Sequence, residues 1–186
     1  MRTLDHAPVP DATLTAVLVH PHPHMGGDRF NHVIDAVYRT LPAAGVSGAR
    51  FDLSSADART SRSETIAAID GIAASRVVLI GYSFGADVAL GIADARVRGW
   101  FAVAPPLRLD DFDAVAMDDR PKALLVPQRD QFSPPERVAA LTGTWRATTS
   151  ATLEGADHFL AGRGADVADA VQTWIRGLPE GPIVSS

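Results

Sequence analysis

The 186-residue sequence contains no cysteine, which excludes disulfide bridges and thiolate metal sites. It also lacks long apolar runs, because no stretch approaches the roughly 20 residues that a membrane-spanning helix needs. There is no excess of positive charge, since the formal net charge is −5. An acidic chain has no electrostatic reason to bind nucleic acid or anionic lipid. We therefore expect no nucleic-acid partner and no membrane partner.

The N-terminal segment lacks the apolar stretch of a secretory signal, because residues 1–11 are polar and include Asp5 and His6. The absence of cysteine suits a reducing compartment, so we expect a cytoplasmic protein. A chain of this length with 46% hydrophobic residues is typical of one globular domain. We predict a single domain over residues 1–186, with its core at about 12–177. The assembly is left open between a monomer and a homodimer.

Short apolar runs alternate with segments of helical spacing along the chain. This pattern is typical of a parallel sheet with helices on both faces, and most of the runs are aliphatic, as in strands buried on two sides. The candidate strands are 14–20, 46–53, 77–81, 99–104, 122–127 and 147–153. Helical spacing is clearest at Val33, Val37, Leu41, at Ile66, Ile69, Ile72, and at Val167, Val171, Ile175. Capping boxes are predicted at Ser61 with Glu64 and at Ser133 with Glu136.

The most informative motif is G-x-S-x-G, which is centred on Ser83 and lies between an aliphatic run and a segment rich in Ala, Val and Leu. Such flanks are typical of a strand, a sharp turn and a helix. A serine exposed on this turn needs a strained backbone, and only small residues fit at Gly81 and Gly85. We predict Ser83 as a nucleophile and the Phe84 N–H as an oxyanion donor. A flexible glycine and serine loop is the alternative, which the flanking patterns disfavour.

A nucleophilic serine needs a base, and the base needs a partner that fixes its tautomer. With the serine on such a turn, an acid and then a histidine follow it, each in a loop after a later strand. Asp130 follows the candidate strand 122–127, and His158 follows the candidate strand 147–153. Both should therefore lie at the carboxyl edge of the sheet. We predict Asp130 as the orienting acid and His158 as the general base.

Other aspartates compete for the role of the acid. Asp157 is adjacent to His158, but neighbouring side chains usually diverge, so it is less suited to face the imidazole. A second rival is the cluster Asp110, Asp111 and Asp113, which follows an earlier strand. Chain order favours Asp130 over both rivals.

A histidine-rich loop, His20 to Met25 followed by two glycines, ends the first candidate strand. Where a nucleophilic serine lies on a strand-to-helix turn, the loop after an earlier strand supplies the second oxyanion amide. Because proline has no N–H, the donor in this loop would be His22, His24 or Met25. Histidines two apart in an extended segment point the same way, so a zinc site is the rival interpretation. No closing ligand is evident, and we predict no metal. A structural role is favoured, in which His20 packs under the site and braces the loop by hydrogen bonds.

These motifs, with Arg50-Phe51-Asp52 and the Ala-Pro-Pro run 104–106, resemble the small bacterial α/β hydrolases related to dienelactone hydrolases and serine esterases. The resemblance covers residues 12–177. It implies the α/β-hydrolase fold, with a mostly parallel sheet of about six strands, helices on both faces and no substantial lid. It also implies Ser83, Asp130 and His158 as a catalytic triad. The arginine-and-glycine turn usual in the family is absent at residues 53–57, and Pro127 replaces a glycine often found before the acid.

The expected reaction is cleavage of a small ester or thioester through an acyl-enzyme on Ser83, with water as the final acceptor. A small-molecule acyl substrate is the expected partner, and no metal or organic cofactor is required. In the short segment 105–121, apolar residues either form a wall of the pocket or pack on the sheet. They are Leu107, Phe112, Val115 and Met117. A catalytically silent binding protein of the same fold and a histidine-dependent metal hydrolase are the alternatives.

Overall fold

The computed structural model describes residues 3–109 and 111–179. In this part of the chain seven strands form one sheet in the order β1-β3-β2-β4-β5-β6-β7, and only the β1–β3 pair is antiparallel. The strands are β1 (Leu4–Ala7), β2 (Thr15–Val19), β3 (Ser47–Phe51), β4 (Val77–Tyr82), β5 (Val97–Val103), β6 (Lys122–Arg129) and β7 (Thr148–Asp157). The helices are α1 (His32–Thr40), α2 (Ala58–Gly71), α3 (Phe84–Leu90), α4 (Asp113–Ala116), α5 (Pro135–Thr142) and α6 (Gly164–Arg176).

The central strands bury side chains on both faces of the sheet, so there are two apolar cores. In β2, Val17 and Val19 belong to the core under α2, α3 and α5, whereas Ala16 and Leu18 belong to the core under α1 and α6. Helix α1 also packs directly against α6. Burial on both sides explains why these strands show no polar alternation in the sequence.

The predicted fold class is confirmed. All six candidate strands occur, as β2 to β7, and helices cover both faces of the sheet. The seventh strand, β1, lies before the predicted start of the core and pairs with β3, with Leu4 opposite Phe51. Its four residues form an edge strand with a single neighbour, so they carry no long apolar run. At the other end of the predicted domain, residues 180–186 lie outside the described residues.

Both predicted capping boxes are wrong. Helix α2 begins three residues before Ser61, and the carboxylate of Asp57 caps it by accepting the N–H of Thr60 at 2.8 Å. Glu64 instead accepts the hydroxyl of Ser54 at 2.6 Å, which ties α2 to the chain that leaves β3. Helix α5 has no side-chain cap, so Ser133 does not cap it. The sequence pattern was correct for the helices but not for their first hydrogen bonds.

The connection from β5 to β6 is short. Its described residues hold a single four-residue helix, α4, so nothing there forms a lid over the carboxyl edge of the sheet. None of the helices in residues 3–109 and 111–179 has the length and apolar character that crossing a bilayer requires.

Lys122, the one lysine of the sequence, is 1% exposed at the amino end of β6. Its ammonium donates to the carbonyl oxygens of Asp118 at 2.6 Å and Arg120 at 2.9 Å. Burial lowers the pKa of Lys122 to about 8, although the nearby Asp118 carboxylate opposes the shift. The unfolded chain, with an ordinary lysine, therefore binds more protons than the folded chain between pH 8 and its usual pKa.

This difference predicts that stability rises with pH over that window. Compared with Lys122→Met, the unaltered protein should gain about 2 to 3 kcal/mol of unfolding free energy between pH 8 and about pH 10.5. Urea unfolding of both proteins at a series of pH values measures the difference, and the tyrosines and arginines that both share cancel from it. A difference that stays flat, or that falls, over the window contradicts the prediction.

Candidate active site

Ser83 occupies the turn between β4 and α3, in a backbone conformation that residues other than glycine rarely adopt. Its φ is 53° and its ψ is −122°, and its N–H donates to the carbonyl oxygen of Val103 at 2.9 Å. Helix α3 begins at the next residue, so its first amide groups surround the serine. The turn holds a half-buried hydroxyl at the carboxyl edge of the sheet.

The two glycines of the motif allow close backbone packing around this turn. A Cβ at Gly81 would lie 2.2 Å from the carbonyl oxygen of Gly85, and a Cβ at Gly85 would lie 2.1 Å from the carbonyl oxygen of Val19. Both distances are far inside van der Waals contact. Gly81 therefore lets β4 approach α3, and Gly85 lets α3 approach the end of β2.

The structure brings together the three side chains that the sequence places in one site. Ser83 Oγ lies 2.8 Å from His158 Nε2, and His158 Nδ1 lies 2.8 Å from Asp130 Oδ2. The Asp130 side chain is completely buried, and the His158 side chain is 7% exposed. Because the carboxylate accepts the proton carried on Nδ1, Nε2 is left as an acceptor for the serine hydroxyl.

Backbone contacts fix the carboxylate of Asp130. Its Oδ1 accepts the N–H groups of Phe132 at 2.8 Å and Ser133 at 3.0 Å, which leaves Oδ2 for the imidazole. The hydroxyl of Ser133 donates to the carbonyl oxygen of Pro106 at 2.7 Å. This bond, and not a helix cap, is the contact of Ser133, and it joins the loop of the acid to the chain after β5.

The rival acids point elsewhere. Asp157 Oδ1 accepts the N–H groups of Phe159 at 3.0 Å and Leu160 at 3.2 Å, so it organises the loop of the histidine without facing its ring. Asp111 is exposed and pairs with Arg62 at 3.5 Å. The other two members of that cluster are the first residue of α4, Asp113, and residue 110, which lies outside the described residues.

The position of His158 depends on two aromatic neighbours. The hydroxyl of Tyr82 donates to the carbonyl oxygen of His158 at 2.8 Å, and the ring of Phe132 meets the imidazole at 4.5 Å between centroids, edge to face. Burial raises the pKa of Tyr82 well above its usual range, and the charge of Asp130 adds to the shift. The phenol therefore stays protonated and remains a donor. Tyr82 stands inside the serine motif, yet the motif gave no sign of this role.

His20 has the structural role expected of it. Its ring is 1% exposed, Nδ1 donates to the carbonyl oxygen of Pro21 at 2.6 Å, and Nε2 accepts the N–H of Leu53 at 2.8 Å. Burial lowers the pKa of His20, which favours the neutral ring that these two bonds require. The histidine thus connects the loop after β2 to the end of β3.

The three candidates for the second oxyanion amide differ in their surroundings. The N–H of Met25 donates to the carbonyl oxygen of His22 at 3.0 Å, so it is already engaged. His24 is exposed and lies outside the lining of the pocket described below. The His22 ring packs edge to face on the Phe84 ring at 5.2 Å, directly beside the serine turn. Of the three, His22 is the candidate whose side chain contacts Phe84 and whose own residue lines the pocket without the hydrogen bond that occupies the Met25 amide.

A metal site in the histidine loop would need His20, His22 and His24 to direct nitrogens to one point. Both ring nitrogens of His20 are already hydrogen bonded, and the rings of His22 and His24 pack edge to face at 5.6 Å. No group of three or more histidine, aspartate or glutamate residues is arranged to hold a metal within residues 3–109 and 111–179.

A pocket of about 320 Å³ opens beside Ser83 and His158. Its walls come from the loop after β2, the serine turn, the chain after β5 and the loops that carry the acid and the histidine. Apolar contacts are supplied by Phe84, Pro106, Leu109, Phe132 and Phe159, and Met25 lies at the rim. Leu109 and Phe132 lie in none of the sequence motifs, because they meet the serine only in the fold.

The apolar wall considered for the segment after β5 consists of different residues. Leu107 and Val115 are buried in the core, and Phe112 packs on Trp145 at 5.8 Å. Met117 is 55% exposed and lies away from the pocket. For these residues, packing on the sheet is the correct alternative, apart from the exposed methionine.

Asp87, one turn after the serine, supports the pocket wall from below. Its carboxylate is buried and accepts the N–H groups of Leu107 at 2.9 Å, Arg108 at 2.9 Å and Leu109 at 3.4 Å. Burial raises the pKa of Asp87, and the three amide hydrogen bonds oppose that shift. The sequence signal for this residue is an acidic side chain inside an otherwise apolar helix, and no motif marks it.

No protein-family model and no curated protein sequence matches this chain. Solved structures do match. A lidless α/β serine hydrolase from Xanthomonas campestris superposes with a TM-score of 0.81 at 25% identity, over 96% of this chain and 91% of that one. A homologue of α/β serine hydrolases from Coxiella burnetii gives a TM-score of 0.78 at 20% identity, over 94% and 90%.

The esterase domain of a Rhodothermus marinus protein gives a TM-score of 0.77 at 18% identity, over 95% of this chain and 92% of that domain. These likenesses extend over nearly the whole chain. Together with the sheet order and the serine turn, they show that the chain has the α/β-hydrolase fold without a substantial lid.

Proposed function

We propose that this chain is a serine hydrolase that cleaves a small ester or thioester, with Ser83 as nucleophile, His158 as general base and Asp130 as the acid that orients the histidine. The observation that carries the proposal is the unbroken hydrogen-bonded line from the serine hydroxyl through the imidazole to a buried carboxylate. The esterases and serine hydrolases among the structural neighbours support the same chemistry. A relation to dienelactone hydrolases stays a prediction from the sequence.

In the first half of the proposed reaction, His158 Nε2 takes the proton of Ser83 as Oγ attacks the carbonyl carbon. A tetrahedral intermediate forms, and the imidazolium then gives its proton to the leaving alkoxide or thiolate. In the second half a water molecule, deprotonated by the same imidazole, attacks the acyl-enzyme and forms a second tetrahedral intermediate. Its bond to Ser83 Oγ then breaks, the imidazolium returns its proton to Oγ, and the carboxylic acid is released. Asp130 keeps its charge throughout and stabilises the imidazolium. No metal or organic cofactor takes part in these steps.

The oxyanion of each intermediate needs donors that point at it before it forms. The Phe84 N–H at the start of α3 is one proposed donor, and the amide of His22 is the other. This choice is supported by the packing of the His22 ring on Phe84 and by the hydrogen bond that occupies the Met25 amide. Gly85 contributes by letting the end of β2 lie against the serine turn.

The size of the substrate follows from the pocket. A volume of about 320 Å³ lies at the low end of the usual range for small-molecule sites, and no lid extends it. Its apolar lining suits a short acyl chain or an aromatic leaving group. A cytoplasmic location stays a prediction, and the assembly stays open between a monomer and a homodimer.

The direct test is labelling of the purified protein with a fluorophosphonate probe. We expect one adduct, mapped by mass spectrometry to Ser83, since the base at 2.8 Å activates that hydroxyl for attack on phosphorus. Labelling should be absent in Ser83→Ala, strongly reduced in His158→Ala and unchanged in Ser63→Ala, which removes an exposed serine of α2.

A screen of short p-nitrophenyl esters and acyl thioesters should show hydrolysis that depends on Ser83 in the same way. Absence of both labelling and hydrolysis in the folded protein would identify the silent binding protein instead. Hydrolysis that persists in Ser83→Ala and stops with a chelator would identify the metal hydrolase.

A further inference from the structure

Arg108 is the only arginine or lysine among the described residues that line the pocket. It follows β5, on the segment whose amide groups the buried carboxylate of Asp87 accepts. Its side chain is exposed at the mouth of the pocket. The structure therefore presents one cation to whatever enters beside the serine.

The guanidinium of Arg108 has no carboxylate within 4 Å in the described part of the chain. Eight of the other arginines in the described residues pair with a carboxylate within 4 Å, for example Arg96 with Asp94 at 2.8 Å and Arg50 with Asp35 at 2.7 Å. The acidic residue that lines the pocket, Asp87, is occupied by three backbone amides. An arginine left without an acid at a binding site keeps its donors available for an anionic ligand.

An aromatic ring, that of Phe132, lies beside the guanidinium of Arg108. The guanidinium lies 5.7 Å from the centroid of the Phe132 ring, and the same ring meets the imidazole of His158 at 4.5 Å. Phe132 is in turn fixed through its backbone N–H, which donates to Asp130 at 2.8 Å. The same aromatic ring thus lies near both the cation and the imidazole of the proposed reaction centre.

We infer that Arg108 recognises a carboxylate on the substrate, so that the preferred ester carries a negative charge on its acyl group or on its alcohol. This inference rests on the proposed function of Ser83 and deepens it by naming a substrate class. The guanidinium binds the carboxylate while the carbonyl lies at Ser83, which orients the ester and attracts it from solution. Because the site is open to water, the preference is sensitive to salt.

The test compares pairs of esters in which the free carboxylate of one member is replaced by its methyl ester in the other. For the acyl side, the mono-p-nitrophenyl esters of glutarate and adipate are compared with the neutral diesters in which the free carboxylate is methylated and the p-nitrophenyl ester is kept. Rates are corrected for spontaneous hydrolysis. For the alcohol side, 3-acetoxybenzoate is compared with its methyl ester. We expect kcat/KM for the charged ester to exceed that of the neutral ester about 10-fold or more in at least one pair, which also identifies the side that carries the charge.

Variants separate recognition from a general structural effect. In Arg108→Gln the charged-to-neutral ratio should fall to near one, and Arg108→Lys should restore part of it. Arg59→Gln removes an exposed positive charge from a neighbouring shallow groove and should leave the ratio unchanged. Raising NaCl from about 20 mM to about 500 mM should lower the ratio in the unaltered protein but not in Arg108→Gln.

Two results overturn the inference while the proposed function stands. One is a ratio below about two for every pair in a protein that hydrolyses the neutral esters, and the other is a high ratio that survives in Arg108→Gln. Failure of Ser83 to react with the fluorophosphonate, together with no hydrolysis of any ester, overturns the proposed function itself and the substrate class with it.

Discussion

Asp130→Asn is expected to lower kcat for ester hydrolysis by about 10⁴-fold. An amide at this position offers an N–H to His158 Nδ1, which stabilises the tautomer that carries its proton on Nε2. The imidazole then cannot take the proton of Ser83, and the charge that stabilises the imidazolium is lost. The substitution keeps Oδ1, the acceptor for Phe132 and Ser133, so the loop should keep its shape. Steady-state kinetics on the best p-nitrophenyl ester, with circular dichroism to check folding, measure the effect.

The matched control is Asp157→Asn, which makes the same change on the residue next to the histidine. Its Oδ1 accepts two backbone N–H groups and has no contact with the imidazole, so we expect kcat within about threefold of the unaltered protein. If Asp157→Asn were the more damaging change, the assignment of the acid would pass from Asp130 to Asp157. If neither change lowered kcat, the histidine would not need an acid and the proposed mechanism would fail.

The parts of the structure that the sequence predicted correctly are those that depend on local pattern. The central strands β2, β4, β5 and β6 contain aliphatic runs because both their faces are buried, and such runs are visible without any tertiary information, whereas most residues of the edge strand β7 are exposed. The serine turn was recognisable because it requires glycine at two positions. A side chain at Gly81 would clash with the backbone of Gly85, and one at Gly85 would clash with the backbone of Val19 in the adjacent strand. Chain order then identified Asp130 and His158, since the carboxyl ends of parallel strands meet at one edge of the sheet.

The parts that the sequence did not predict depend on contacts between distant segments. Strand β1 is defined by its pairing with β3, and a segment of four residues is too short to show a strand pattern in the sequence. Glu64 had the spacing of a capping box, but a serine ten residues earlier in the chain provides its partner. The pocket wall depends on Asp87 and on the ring of Phe132, both of which act through segments far from them in sequence.

The expected cost of disturbing the serine turn shows how closely stability and the site are connected. Gly85→Ala should lower the free energy of unfolding by at least 3 kcal/mol, which corresponds to a fall in Tm of about 6 to 12 °C for a chain of this size. The added Cβ would lie 2.1 Å from the carbonyl oxygen of Val19 and 2.5 Å from that of His20. Neither atom can move aside easily, because β2 pairs with β3 on one side and with β4 on the other, and the His20 ring accepts a hydrogen bond from the N–H of Leu53.

The control for this prediction is Gly177→Ala at the end of α6, where the nearest atom to an added Cβ is 3.5 Å away and φ is −87°. That substitution should change the unfolding free energy by no more than about 0.5 kcal/mol. Thermal melts followed by circular dichroism compare the two variants with the unaltered protein. A Gly85→Ala protein that melts within about 3 °C of the unaltered protein would mean that β2 and α3 can separate at little cost. In that case the loop after β2 would not be held in place beside Ser83, and the proposed oxyanion amide of His22 would lose its structural support.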